Sequence, residues 1–206
     1  MFLSQREIID HFPSFIEGGR LENVKEVCYD LCVGDEVYRS EEKLPESLSD
    51  SNPCVILHPG QFALIKTLEI VKVPKENVGL ISIRKEYKFQ GLVNVSGFHV
   101  DPSFEGPLIF AVQNVGPNDI RLRFRDPVFM IMWAMLNKAY SPGESARSRK
   151  GYAHIPVQLM AQLGGGNITL SQLKAQVDKL NTEVKLFAGL AIALIMALIG
   201  VILKKL

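Results

Sequence analysis

Between residues 54 and 136 the chain repeats one rhythm: short runs rich in valine, isoleucine and leucine, broken by glycine, proline and asparagine. The runs "CVILHPGQFALIKTLEIVKVP", "VGLISIRKEY", "GLVNVSGFHV", "PLIFAVQNVG", "IRLRF" and "VFMIMWAML" read as strands separated by turns. Their regular spacing predicts a compact, mainly β barrel or sandwich. Ahead of them, "LSQREIIDHFPSFIEGG" places Ile8, Ile9, Phe12, Phe15 and Ile16 at helical spacing, and Gly18 with Gly19 is predicted to end a short N-terminal helix.

The pattern changes towards the C-terminus. Leu170, Leu173, Val177, Leu180, Val184 and Phe187 recur at alternating spacings of three and four residues, which keeps them on one helical stripe. This heptad seam, about two and a half repeats long, predicts a short coiled-coil stalk. An amphipathic helix lying on the domain or on a bilayer is the competing arrangement. Thr169 and Gln172 form a capping box at its start, and Gly164, Gly165 and Gly166 form a flexible break before it. Beyond the seam, "LFAGLAIALIMALIGVIL" has 18 residues without a charge. At about 1.5 Å per residue such a helix covers about 27 Å, close to the roughly 30 Å of a hydrocarbon core, so a transmembrane helix is expected. The organisation read from the chain is a domain over 1–163, a linker and stalk over 164–185, a span over 186–203 and a basic tail over 204–206, in which Lys204 and Lys205 act as snorkelling anchors.

Charge narrows the function. With 23 basic against 22 acidic side chains there is no overall basic field, and no DNA or RNA partner is expected. Cys28, Cys32 and Cys54 have no second Cys/His pair at ligand spacing, so no metal site is expected and the thiols read as buried residues of a reducing compartment. The opening "MFLSQREIID" has no apolar core of a secretory signal, which predicts a single-pass C-terminal anchor with the soluble domain in the cytoplasm.

Specific segments carry a resemblance. "LSQREI" with "GGRL", "YDLCVGDEVY" and above all "VILHPGQFALIKTLEIVKVP" resemble the dCTP deaminase branch of the trimeric dUTPase-like superfamily, over about residues 3–157. The resemblance implies a distorted β-barrel that assembles as a homotrimer, with nucleotide sites at the subunit interfaces. A trimer also suits the seam, since three stalks would lie side by side.

The residues that such a site needs are altered. Where the family reads GRSSxxRxGL, this chain reads "IRKEYKFQGL": Arg84 is kept, Lys85 and Glu86 stand in place of two serines, and Phe89 stands in place of the second arginine. A lysine is a point charge, not a bidentate guanidinium, and a glutamate repels phosphate. Where the family reads IDPGWxGxIxLEFxN, this chain reads "VDPSFEGPLIFAVQN"; Asp101, Pro102, Gly106 and Asn114 match, and the glutamate that the resemblance makes the general base falls on Ala111. Losing a positioned general base costs a factor of about 10² to 10⁴. "PVFMIMW" stands for PGMxIxQ, which puts Val128 at the glycine and Trp133 at the nucleotide-contacting glutamine.

The expectation is a membrane-anchored, catalytically inactive trimer that binds a nucleotide or cyclic-nucleotide ligand or a partner and conveys the event to the bilayer, by analogy in antiviral defence. Arg84, Lys85, Ser96, Asp101 and Gln113 are its candidate ligand contacts, and Leu170, Leu173, Val177, Leu180 and Val184 its stalk. No cofactor is expected. One alternative is an active dUTP or dCTP pyrophosphatase that uses Asp101 with magnesium; against it, Asp101 before Pro102 also reads as a plain turn residue. Another is a trimeric membrane scaffold, which predicts a pocket closed by Phe89, Phe98 and Trp133. His99 lacks a Ser or Cys partner at motif spacing and reads as structural.

Overall fold

The chain opens with two short helices, α1 (Gln5–Asp10) and α2 (Phe12–Phe15), rather than one running to Gly18. Glu7 accepts hydrogen bonds from the Ser4 N–H at 2.8 Å and from the Ser4 hydroxyl at 2.7 Å, which caps α1. Pro13, with no N–H to give to the turn before it, sits at the start of α2 and breaks the run at His11. Ile16 then leaves the helix to pair with Val71 in a sheet.

The computed structural model describes residues 1–141, 150–163 and 170–203. After α2 come β1 (Ile16–Glu17), β2 (Tyr29–Arg39), β3 (Glu46–Ser47), β4 (Cys54–Leu57), β5 (Phe62–Thr67), β6 (Ile70–Lys72) and β7 (Asn77–Ile83). They are followed by α3 (Lys85–Phe89), β8 (Leu92–Asn94), β9 (His99–Val100), β10 (Glu105–Gly106), β11 (Ile109–Asn114), β12 (Ile120–Arg123), β13 (Pro127–Met135), α4 (Val157–Leu163) and α5 (Leu170–Leu203). The main sheet runs β8-β11-β5-β2-β13-β7-β9, with β3 on β2; β1-β6-β10 and β12-β4 form two smaller sheets. The long strand β2 bends the main sheet. Tyr29 to Cys32 pair with β13, whereas Val33 and then Val37 to Arg39 pair with β5, with a register shift between Val33 and Val37. The result is a curled, mainly β barrel: of the barrel or sandwich that the strand rhythm left open it is the first, and it has the distorted form that the resemblance implied.

The barrel interior holds one large apolar cluster. Phe110 and Phe129 stack at 4.0 Å between ring centroids, and Phe15 lies 5.0 Å from Trp133. Each such fully buried side chain contributes about 1.5–3 kcal/mol. A buried polar network crosses this core: Glu69 accepts from the Cys32 N–H at 2.9 Å and from the Tyr29 hydroxyl at 3.2 Å, while that hydroxyl accepts from the Arg20 N–H. Burial pushes the Cys28 thiol up to about 11 and the Cys32 thiol up to about 12, so both are inert at neutral pH; Cys54 is only half-buried.

The chain divides into two compact units, Met1–Asn167 and Ile168–Leu206. In the second, α5 is one continuous helix of 34 residues that carries both the seam and the apolar run. Its stretch Ala175–Ala197, mean hydropathy 1.6, is long and apolar enough to cross a membrane. That stretch begins earlier than the charge-free run from Leu186 and includes Asp178, Lys179, Glu183 and Lys185. Leu173, Val177, Leu180 and Val184 are between 49% and 63% exposed. The Leu170 side chain, Gly164 to Gly166, Thr169, the Gln172 side chain, Lys204 and Lys205 lie outside the described residues.

Candidate functional site

Strand β11 decides what the resembled active site has become. Its residues alternate: Phe110, Val112 and Asn114 are buried in the core, while Ile109, Ala111 and Gln113 lie on the other face. Ala111 therefore stands where a side chain could leave the barrel wall, but the space above it is filled. Tyr38, Leu64 and Ile155 form a buried apolar cluster there, with Ile109, Ala111, Leu159 and Met160 packed against it. Leu64 is the residue opposite Ala111 on β5. A glutamate at this position would meet hydrocarbon.

The cover comes from residues 150–163, a strap that returns over the sheet after β13. It is pinned by charged groups on β2 and β5. Lys66, almost buried on β5, donates to the Ala153 carbonyl at 2.8 Å and lies 2.9 Å from Asp35 and 3.7 Å from Glu36. Glu36 accepts from the Ile155 N–H at 3.1 Å and lies 3.3 Å from His154 Nδ1. Burial works against the Asp35 charge, but the hydrogen bond and charge of Lys66 win, and the carboxyl is held below its usual range.

Beside the cover a cavity of about 410 Å³ stays open. Ser96, His99, Asp101 and Phe104 line it from the turns around β9, Ile109 from β11, and Lys150, Tyr152 and Leu159 from the strap. Asp101 occupies a turn as well: its carbonyl accepts from the Phe104 N–H at 3.3 Å, with Pro102 next and Ser103 at φ 65°. His99 Nε2 lies 3.6 Å from the Asp101 carboxylate. Thus the turn role expected for Asp101 and its place on the cavity wall coexist.

Of the candidate contacts, the cavity brings together Ser96 and Asp101, and the other three lie elsewhere. Gln113 donates to the Gly60 carbonyl at 3.3 Å. Arg84 is engaged within its own chain, 3.5 Å from Asp30, 3.0 Å from Glu86 and 3.2 Å from the Pro127 carbonyl that it donates to. Lys85 is exposed at the first position of α3, and Glu86 pairs with Arg84 rather than with Lys85. Residues 85–89 form a helical turn because "KEYKF" has no glycine to open it; the chain turns only at Gly91, φ 100°. Lys150, Tyr152 and Leu159 were not expected, and no periodicity or motif in their segment signals them.

Asn114, which matches the resembled segment, and Trp133, which falls on a resembled nucleotide-contacting position, are both framework. Asn114 is fully buried, donates to the Leu57 and Asn118 carbonyls at 2.8 Å and accepts from the Gly116 N–H at 2.9 Å, so it shapes a turn away from the cavity. Trp133 points inward on β13 with Phe129 and Ile131, fully buried, its Nε1 donating to the Lys72 carbonyl at 3.3 Å. Phe89 is 86% and Phe98 70% exposed. Within one chain none of these three aromatic residues lines the cavity, and strand alternation sends the tryptophan into the core. Among the described residues no three His, Cys, Asp or Glu side chains converge to hold a metal ion.

The bent β-barrel, with its wall turn at "VDPSFEG" beside β11, can be set against known proteins. The sequence model described as dCTP deaminase-like matches residues 2–135, and the chain belongs to that family. It is 30% identical over 115 residues to the dCTP deaminase of Thermococcus kodakarensis, across 56% of this chain and 72% of that protein. Against the dCTP deaminase of Histophilus somni it is 29% identical over 110 residues, across 53% of this chain and 57% of that protein. In fold it is similar to the 2′-deoxycytidine 5′-triphosphate deaminase of Agrobacterium tumefaciens, with a TM-score of 0.55 at 13% identity over 65% of this chain and 48% of that one.

Proposed function

We propose that the protein is a membrane-anchored, catalytically silent homotrimer that binds a nucleotide-type ligand in the cavity beside the cover of Ala111 and transmits or localises that event at the membrane. One juxtaposition carries this reading: Ala111 lies beneath Ile155, Leu159 and Met160, while the adjoining cavity shares Ile109 and Leu159 with that cover. The methyl group of Ala111 cannot take a proton from water, whereas a ligand in the cavity would touch Lys150, Tyr152 and Leu159 of the strap. An open cavity also favours a ligand over a plain scaffold. A pyrophosphatase would rest on Asp101 and magnesium, and among the described residues no three His, Cys, Asp or Glu side chains converge to hold that ion. In a trimer the exposed stripe Leu173, Val177, Leu180 and Val184 would be covered by its copies. A tethered ligand sensor of this kind suits a nucleotide-signalled defence acting at the membrane.

The test is the full chain in detergent micelles, assayed for ammonia from dCTP and pyrophosphate from dUTP with magnesium, beside calorimetric titration with nucleosides and nucleotides. Background release with saturable binding is expected. Turnover abolished by Asp101→Ala would replace this reading with an enzyme, and absence of binding would remove the ligand.

A further inference from the structure

We infer that the protein has a further binding site, between α1–α2 and the ends of β7 and β13, which takes a small planar heterocycle bearing an amino group beside a ring nitrogen. It is independent of the cavity beside β11. A cavity of about 300 Å³ lies there, at the lower end of the range of small-molecule sites. Leu3, Phe15 and Met135 give it apolar walls that suit the faces of a ring, and Glu7, His11, Ser14 and Asn77 give it polar ones.

Asn77 is the reason to expect a ligand. It opens β7 at 6% exposure, on the same inward face as Gly79. Its backbone is engaged: the N–H donates to the Pro74 carbonyl at 2.9 Å, and the residue stands opposite Met135 on β13. Its side-chain amide, by contrast, has no hydrogen-bond partner among the described residues. A buried amide left so costs stability, and in folded chains such groups are nearly always satisfied by protein, by water or by a ligand. Among the described residues Arg39 Nε is the one side-chain polar atom both unbonded and shut off from open space, so the Asn77 amide opens into the cavity that its residue lines.

The chemistry of the walls selects the ligand. An amide presents a donor and an acceptor side by side in one plane, and its complement is an edge with an N–H beside an acceptor. Both an amino-substituted ring and a lactam have such an edge. Glu7 favours the first, because a carboxylate only accepts and an amino group has a second hydrogen to give. Glu7 Oε2 takes both bonds from Ser4, at 2.8 Å from the N–H and 2.7 Å from the hydroxyl; these hold the carboxyl below its usual range and leave Oε1 free among the described residues. The His11 ring stands edge-on to Phe15 with centroids 6.3 Å apart, and Phe15 packs on Trp133, so the core holds this wall in place.

The test is calorimetric titration of the full chain in detergent micelles with 4-aminopyrimidine and 9-methyladenine, each beside its amino-free counterpart, pyrimidine and 9-methylpurine. At least one amino-substituted ring is expected to bind saturably with a Kd below about 1 mM, an affinity within the bound set by so few atoms. Its counterpart is expected to bind at least about tenfold more weakly, since it leaves the amide oxygen unpaired. Asn77→Leu is expected to weaken binding by about tenfold or more without lowering the melting temperature, because the amide has no bond in the chain to lose. Ser14→Tyr, at an exposed position on the same cavity, is expected to obstruct it and weaken binding likewise. Unchanged binding in either variant places the ring elsewhere and overturns the inference, and equal affinity for a ring and its amino-free counterpart does the same. If no amino-substituted ring binds, the cavity holds water alone and the inference falls.

Discussion

At the scale of single residues, Ala111 and Glu69 show how burial governs chemistry in this barrel. Ala111 was legible from the sequence, because the aligned turn and closing asparagine fix its position. Its apolar cover was not, because Ile155 and Leu159 lie more than forty residues further along. Glu69 lies inside the wall at 1% exposure, and burial, only partly offset by the hydrogen bonds from Cys32 and Tyr29, pushes its carboxyl up. An acid whose pKa is raised on folding stabilises the folded chain while it is protonated, and that contribution declines as pH rises from the unfolded value of about 4.3 towards the folded one. Glu69→Gln, which keeps an acceptor for the Cys32 N–H, is therefore expected to flatten the fall in stability across that window. Urea midpoints measured at successive pH values check it; parallel curves for wild type and variant would argue that Glu69 is ionised without penalty.

At the scale of elements, the strap is the part to perturb. Glu36 holds the Ile155 N–H, and Lys66 holds the Ala153 carbonyl. Glu36→Ala removes one pin and leaves Lys66 with Asp35, which is expected to loosen the strap by about 1–3 kcal/mol without unfolding the barrel. Hydrogen exchange over residues 153–163 should accelerate by about tenfold or more while β2 and β5 keep their protection. An even effect across the domain would mean that Glu36 supports the barrel and not the strap. The strand runs were readable from composition, but their facing was not. "LIFAVQN" is apolar on both sides of β11, so period two could not say whether Asn114 or Gln113 turns inward. The break between α1 and α2 was foreshadowed by Pro13, whose missing N–H outweighs the apolar spacing around it.

For the whole molecule, the question is how a barrel and an apolar helix act together. The exposed stripe on α5 has no partner within one helix, and a coiled coil of copies would bury it. Replacing Leu173 and Leu180 by Ser is expected to convert a three-copy species in micelles into single chains, measured by light scattering with detergent correction. A mass unchanged by both substitutions would take assembly away from the stalk and assign it to the barrel or the apolar run.

By itself the sequence determined the things that depend on local pattern: a mainly β domain, the family of its strands, the alanine in place of an acid, and an apolar helix at the far end. Tertiary structure alone decided which faces meet. It turned Trp133 and Asn114 into the core, engaged Arg84 with Asp30 and Glu86, and brought Lys150, Tyr152 and Leu159 back to the wall that holds Asp101. The physical reason is range. Periodicity and turn chemistry act over a few residues and are written in neighbouring positions, whereas a cavity is the space left between segments far apart in the chain, and its lining depends on how each of them packs.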